Sequence, residues 1–123
     1  MCTFIVPSCK DQTTQTSDII FPASGVSFTK QVEPLFQETC ASCHNGNNPA
    51  TNLSLDYTAY SDFWEYLIDY QPKIIISGNA ANSILYRDIS GNPQLMPPSP
   101  RPRLTQNQID GIKTWITEGA IHN

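Results

Sequence analysis

The five residues CASCH at positions 40–44 constrain this chain more than any other part of its sequence. Cys40 and Cys43 are separated by two residues, and His44 follows directly. This arrangement can attach a haem covalently, contribute to a zinc site or form a redox-active dithiol. The potential ligands in the rest of the chain favour one of these three sites over the other two.

A covalently attached haem uses all three side chains. The thiols of Cys40 and Cys43 can become thioethers to the two vinyl groups of one porphyrin, and His44 is then carried beneath the iron as proximal ligand. Met96 can supply the second axial ligand, because a thioether favours the ferrous state. Met96 lies in residues 91–103, where five prolines restrict the backbone conformations of the loop before any ligand is bound. The sequence therefore predicts one haem c with His44 and Met96 as iron ligands.

Zinc and dithiol sites remain alternatives with less support. A structural zinc ion takes four ligands, so the motif would need a fourth from His122, Cys2 or Cys9. The sequence has no second C-x-x-C or H-x-H pair. A thioredoxin-like dithiol belongs at the start of a helix, whereas here the helical pattern precedes the cysteines. We expect the penultimate residue, His122, to be a solvated tail residue. The second interpretation is that His122 is the axial ligand in place of Met96.

Four segments show the 3.6-residue period of amphipathic helices. They are expected to begin near four residues: Thr29, Thr58, Asn82 and Thr105. Apolar residues three or four positions apart form the predicted inward faces: Val32, Leu35 and Phe36; Tyr60, Trp64, Leu67 and Ile68; Ile84, Leu85 and Ile89; and Ile109, Ile112, Trp115 and Ile116. The last helix has a T-x-x-Q capping box, and Gly119 is its predicted C-cap. Residues 73–77 are either a buried strand-like segment or a packed loop. The pattern predicts an all-α domain with long structured loops.

The 123 residues suit one domain, predicted to span residues 28–123. Residues 1–27 are expected to be a signal remnant or tether followed by a polar linker, with residues 19–21 laid against the domain. The apolar start followed by Cys9 is typical of a lipoprotein, in which residues 1–8 are removed and the cysteine is acylated. A disulfide between Cys2 and Cys9, or two free thiols, is the other interpretation.

Composition excludes some functions. The net charge of −4 and the pI near 4.8 argue against a nucleic-acid surface, which needs clustered Lys and Arg. The sequence contains no run of eighteen apolar residues, which is about the length needed to span a membrane. Single Ser, Asp and Glu residues occur, but the sequence has no local arrangement of a nucleophile and a base. We therefore expect a protein that is not an enzyme.

Seven short segments together resemble the small class I-type c cytochromes, particularly those of the planctomycete and Bacteroidetes type. The segments are VEPLF at 32–36, CASCH at 40–44, LSL at 53–55, IISG at 75–78, NSIL at 82–85, LMPP at 95–98 and the closing LTQNQIDGIKTWITEGA at 104–120. The resemblance covers residues 29–120. One departure is Asn45, since many relatives have Gly directly after the histidine.

The resemblance implies a cytochrome c fold in which the N- and C-terminal helices cross near the haem, with Phe36 and Trp115 packed at the crossing. It implies thioether bonds at Cys40 and Cys43, His44 as proximal ligand and Met96 as distal ligand. The expected apolar wall of the haem pocket consists of eight residues: Phe36, Leu53, Leu55, Tyr60, Trp64, Ile75, Leu85 and Leu95. Arg101 and Arg103 either offset a haem propionate or are simply solvated.

The expected function is one-electron transfer between redox protein partners, in the periplasm or cell envelope. Membrane association would then come from a lipid on Cys9. Two alternatives remain open. One is a haem sensor or peroxidase-like enzyme in which Met96 is displaced from the iron. The other is an electron-transfer subunit of a larger respiratory complex.

Overall fold

The structure is a computed structural model that describes residues 18–40, 44–45, 48–49, 63–69, 73–91, 95–97 and 101–123. Only the backbone is described for residues 44–45, 48–49 and 63. Four α-helices account for most of the regular structure in these ranges: α1 (Glu33–Thr39), α2 (Phe63–Asp69), α3 (Ile84–Ser90) and α4 (Gln106–Thr117). A π-helical turn (Phe28–Val32) leads into α1, and a 3-10 turn (Ala80–Asn82) precedes α3.

The described ranges contain two strands of two residues each, β1 (His44–Asn45) and β2 (Asn48–Pro49). They pair antiparallel, with His44 opposite Pro49. The helical class predicted from the sequence is therefore confirmed for the part of the chain that the structure describes. Residues 73–77 form a packed loop and not a strand, and Ile74 and Ile75 within it are buried.

The first helical segment begins two residues earlier than the sequence indicated. Its N-cap is Ser27, whose side chain accepts a hydrogen bond from the Lys30 N–H at 3.1 Å. Gln31 Oε1 accepts the Ser27 N–H at 2.7 Å in return. These two bonds satisfy donors that a helix start leaves open, so Ser27 caps the helix and not Thr29, near which the sequence pattern placed its start. The predicted inward residues Val32, Leu35 and Phe36 are all buried.

The capping box predicted at the start of α4 is confirmed. Thr105 Oγ1 accepts the Gln108 N–H at 3.1 Å, and Gln108 Oε1 accepts the Thr105 N–H at 3.0 Å. The inward face is also as predicted, since four apolar side chains are buried: Ile109, Ile112, Trp115 and Ile116. The helix ends at Thr117, and Gly119 follows with a φ of +113°, a conformation that glycine adopts without a steric penalty.

Helix α3 follows a buried serine. Ser83 Oγ accepts the Ile76 N–H at 2.8 Å and donates to the Asn79 carbonyl at 2.9 Å. These bonds join the loop at 73–79 to the start of α3. Ile89 is buried and Leu85 half-buried, as expected, but Ile84 is 39% exposed and does not face the core.

The core includes residues that precede position 28, the predicted start of the domain. Phe21 and Val26 are buried, and Ile19 packs against the core. The Phe21 ring lies against α4 at Gly111, where a Cβ would overlap the ring. The packed unit therefore extends at least to residue 19.

Asn107 of α4 and Glu118, which follows the helix, hold this N-terminal segment through its backbone. Asn107 accepts the Phe21 N–H at 2.8 Å and donates to the Phe21 carbonyl at 3.0 Å. Glu118 accepts the N–H groups of Gly25 and Val26 at 2.9 and 3.2 Å. We call residues 19–26 the N-terminal strap. Backbone groups that would otherwise face a helix surface are satisfied by these side chains.

No helix in the described ranges combines the length and the apolar character needed to cross a bilayer.

Candidate haem-attachment site

The first cysteine of the motif lies at the C-terminal end of α1. The Cys40 N–H donates to the Phe36 carbonyl at 3.0 Å, which fixes the residue on the last turn. Its Sγ lies 3.3 Å from Thr39 Oγ1, and that hydroxyl donates to the Leu35 carbonyl at 2.7 Å. Because the hydroxyl proton is used in that bond, the thiol is the donor to Thr39. Cys40 is half-buried and packs against the core.

The other two residues of the motif are described less fully. Cys43 lies outside the described residues. The backbone of His44 belongs to β1, opposite Pro49, whereas its side chain is outside the description. Their roles as second thioether and proximal ligand stay predictions.

The predicted distal ligand lies in a loop that is anchored to α3. The N–H groups of Leu95 and Met96 both donate to the Asp88 carbonyl, each at 3.0 Å. The peptide bond between Met96 and Pro97 is cis, and Pro97 is buried. Met96 is half-buried and packs against the same core as Cys40.

The predicted pocket residues occupy different depths. Phe36 and Ile75 are buried, with 3% and 1% of their surface exposed. Trp64 and Leu85 are half-buried against the core. Leu95 is 57% exposed and therefore lies at the surface beside Met96. Three predicted pocket residues are outside the described ranges: Leu53, Leu55 and Tyr60. Arg101 and Arg103 are both exposed.

The predictions from the sequence did not include an aromatic cluster in which residues near the two ends of the described chain meet. The His122 ring stacks on Trp64, with centroids 5.3 Å apart and planes at 10°, and meets Phe28 edge-on at 5.4 Å. Phe28 in turn stacks on Trp115 at 5.6 Å. His122 is thus exposed but packed, which differs from the solvated tail residue that we expected.

Backbone carbonyls near the end of the chain fix the two indoles of this cluster. Trp64 Nε1 donates to the Ala120 carbonyl at 2.7 Å, and Trp115 Nε1 donates to the Ile121 carbonyl at 3.0 Å. Phe28 lies four residues before Val32, so an extension of the helical stripe by one turn could have identified it. The pairing of Phe36 with Trp115 that the resemblance implies stays a prediction.

Two side chains described in the structure have the chemistry that a covalently attached haem needs. Cys40 offers a thiol that can form a thioether bond, Met96 offers a thioether that can bind haem iron, and both pack against one core. Trp64, Ile68 and Leu85 are half-buried against that core and keep apolar surface exposed, as the lining of a cofactor site does.

A zinc site receives no support from these ranges. Within the residues that the structure describes, no group of three or more His, Cys, Asp or Glu side chains could hold a metal ion. Cys43 and the His44 side chain are not among them, so the zinc alternative stays untested.

Comparisons of the chain with protein-family models, with curated proteins and with solved structures found no match.

Proposed function

We propose that this protein is a monohaem c-type cytochrome that transfers one electron at a time and has the cytochrome c fold. Cys40 and Cys43 would attach the haem, and His44 and Met96 would be its axial ligands. The observation that carries the proposal is the placement of Cys40 and Met96. One ends the buried α1 and the other follows α3, yet both border the same apolar core.

The chain's own residues would perform two tasks. The Asp88 carbonyl holds the backbone of Leu95 and Met96, so the thioether ligand would be presented from a fixed loop. Phe36 and Ile75 would keep water away from the site, which raises the reduction potential. When bound, the haem would supply an iron that gains or loses one electron, and His44 and Met96 as ligands would leave it no open position for a substrate. This supports a carrier over an enzyme.

The attachment chemistry also bears on location and partners. The family that the sequence resembles receives its haem outside the cytoplasmic membrane of bacteria, so we propose the periplasm or cell envelope. Cys9, the proposed lipid-bearing residue, lies outside the described residues. The partners would be redox proteins that donate and accept the electron.

The test is expression in a bacterial host that attaches haem c, followed by mass spectrometry and optical spectra in both redox states. We expect the mass of one haem on the chain, a low-spin spectrum and a weak sulfur-to-iron band in the oxidised protein. Met96→Ala should abolish that weak band and leave the haem attached. Leu95→Ala is the matched control, because it changes the exposed neighbour and should keep the band.

Two results would contradict the proposal in different ways. A chain that carries no haem in such a host would refute the cytochrome assignment, and zinc would then be measured. A high-spin ferrous spectrum that changes on adding carbon monoxide would instead favour the sensor or peroxidase-like alternative, because it requires an open iron position.

A further inference from the structure

The N-terminal strap is attached to α4 from its first residue. Gln108 Nε2 donates to the Ile19 carbonyl at 3.2 Å. Asn107 bonds to both the N–H and the carbonyl of Phe21, whose buried ring packs against the same helix. The chain is therefore held to the folded unit from residue 19 onward, eight positions before the helix cap at Ser27.

This attachment limits how far the folded unit can lie from Cys9, the residue for which a lipid is proposed. Ile19 comes ten positions after Cys9, and ten residues of any conformation reach at most about 36 Å. If the chain were held only from Ser27, eighteen positions after Cys9, the limit would be about 65 Å. Attachment of the strap thus removes almost half of the reach.

The size of the folded unit decides what the shorter reach means. Residues 19–123 number 105, and a compact unit of that length has a radius of gyration of about 13 Å, equivalent to a sphere of radius about 17 Å. If the strap faced away from the bilayer, the chain from Cys9 would have to pass around a quarter of the circumference and down one radius, about 43 Å. That path is longer than 36 Å and shorter than 65 Å, so only the attached strap excludes this orientation.

The side chain that the strap exposes is apolar. Ile20 is 71% exposed, more than any other large apolar residue that the structure describes. Positions 18–27 contain no Lys or Arg, and Asp18 is exposed. Attraction to anionic lipid therefore has no basis at the strap, whereas an isoleucine side chain can enter the boundary between headgroups and acyl chains.

We propose that the N-terminal strap lies against the phospholipid bilayer that holds the lipid on Cys9, with Ile20 in contact with that bilayer. This rests on the proposed function through the lipid on Cys9 and not through the haem. A bilayer suits the strap better than a second copy of the chain does, because the tether keeps the strap at a high effective concentration near the lipid. The opposite side of the domain would stay open to redox partners.

The test is NMR of the reduced, haem-loaded, 15N-labelled protein in phosphatidylcholine nanodiscs that contain a gadolinium-chelating lipid. The protein is expressed with a lipoprotein signal peptide that is cleaved before Cys9. We expect the amide signals of Ile19, Ile20 and Phe21 to be broadened most, and Cys9→Ser to abolish the effect. Added salt or phosphatidylglycerol should not change the pattern, since the strap has no basic residue.

Two variants separate the effect of the tether from that of the side chain, and neither alters a buried residue. Ten Gly and Ser residues inserted after Lys10 double the tether and should lower the excess broadening about threefold, because effective concentration falls with the 3/2 power of length. Ile20→Ser should lower it by about fivefold through lost apolar contact. Ile84→Ser is the matched control, since Ile84 is 39% exposed but belongs to α3, and it should leave the pattern unchanged.

Several outcomes would overturn the contact between strap and bilayer. Equal broadening throughout the described ranges would do so, as would broadening that requires phosphatidylglycerol and is lost in salt. Strap amides that shift with the concentration of the Cys9→Ser protein would identify a second copy of the chain as the partner. Mass spectrometry separates the two proposals: a chain without haem refutes the electron carrier alone, whereas a haem-loaded chain without a lipid on Cys9 refutes the bilayer contact alone.

Discussion

Gly111 is the residue of α4 that lies against Phe21 of the N-terminal strap. A Cβ at this position would overlap the Phe21 ring. Alanine is favoured over glycine in a helix by about 1 kcal/mol, but overpacking a core typically costs about 1–3 kcal/mol. We therefore expect Gly111→Ala to lower the free energy of unfolding, measured in urea, in spite of its better helix propensity.

A double-variant cycle isolates the cause of this effect. Phe21→Gly removes the ring and also the Phe21 Cβ that a Cβ at position 111 would overlap, so Gly111→Ala should cost less in that background. If the cost of Gly111→Ala were the same in both backgrounds, the contact with Phe21 would not be its origin.

Among the elements, those with local signals were the ones that could be predicted from the sequence. The α4 capping box needs only Thr105 and Gln108, and the inward stripe of the same helix needs only its period. The choice between Ser27 and Thr29 as N-cap was different, because both residue types cap helices. Asn123 bears on that choice from almost a hundred residues away, since it accepts the N–H groups of Phe28 and Thr29.

The N-terminal strap shows the same limit at greater length. Residues 10–27 have a polar composition typical of a linker, yet Phe21 and Val26 are in the core. The strap is held by Asn107 of α4 and by Glu118 just after it, which lie 86 and 93 positions away in sequence from the residues they bind. Contacts between residues so far apart produce no periodic pattern in the sequence, so the sequence alone did not predict them. In the candidate site, by contrast, the motif and the loop around Met96 could be identified because their chemistry is carried by few residues.

The strap also leads to a prediction about stability. Asn107→Ala removes the pair of hydrogen bonds to the Phe21 backbone, and each net bond contributes about 0.5–1.5 kcal/mol. We expect a loss of roughly 1–2 kcal/mol in urea unfolding, with faster hydrogen exchange at the Phe21 amide. Gln106→Ala is the control on the same turn, because its side chain bonds only within α4 to Asp110. Equal effects of the two variants would show that the strap is not held by Asn107.

For the whole molecule, net charge and local charge make opposite predictions about electron exchange. The chain has a net charge of −4, so repulsion should slow its oxidation by anionic hexacyanoferrate(III), and salt should screen the repulsion and raise the rate. If the protein carries the proposed haem and its electron leaves beside residues 87–103, which contain all three arginines of the chain, local attraction dominates and salt should lower the rate. In each event the ferrous haem of the proposed cytochrome would lose one electron and hexacyanoferrate(III) would become hexacyanoferrate(II).

We expect the second behaviour, and stopped-flow kinetics between low and high ionic strength can measure its sign. The unmodified protein and Lys30→Gln/Lys73→Gln should both react more slowly as salt is added. The triple variant Arg87→Gln/Arg101→Gln/Arg103→Gln should react more slowly at low salt, by about tenfold. Its rate should rise with salt, because only the net negative charge then acts. A rate that rises with salt in the unmodified protein would mean that the electron leaves through another surface, since an anionic reagent attracted by exposed arginines cannot be accelerated by screening them.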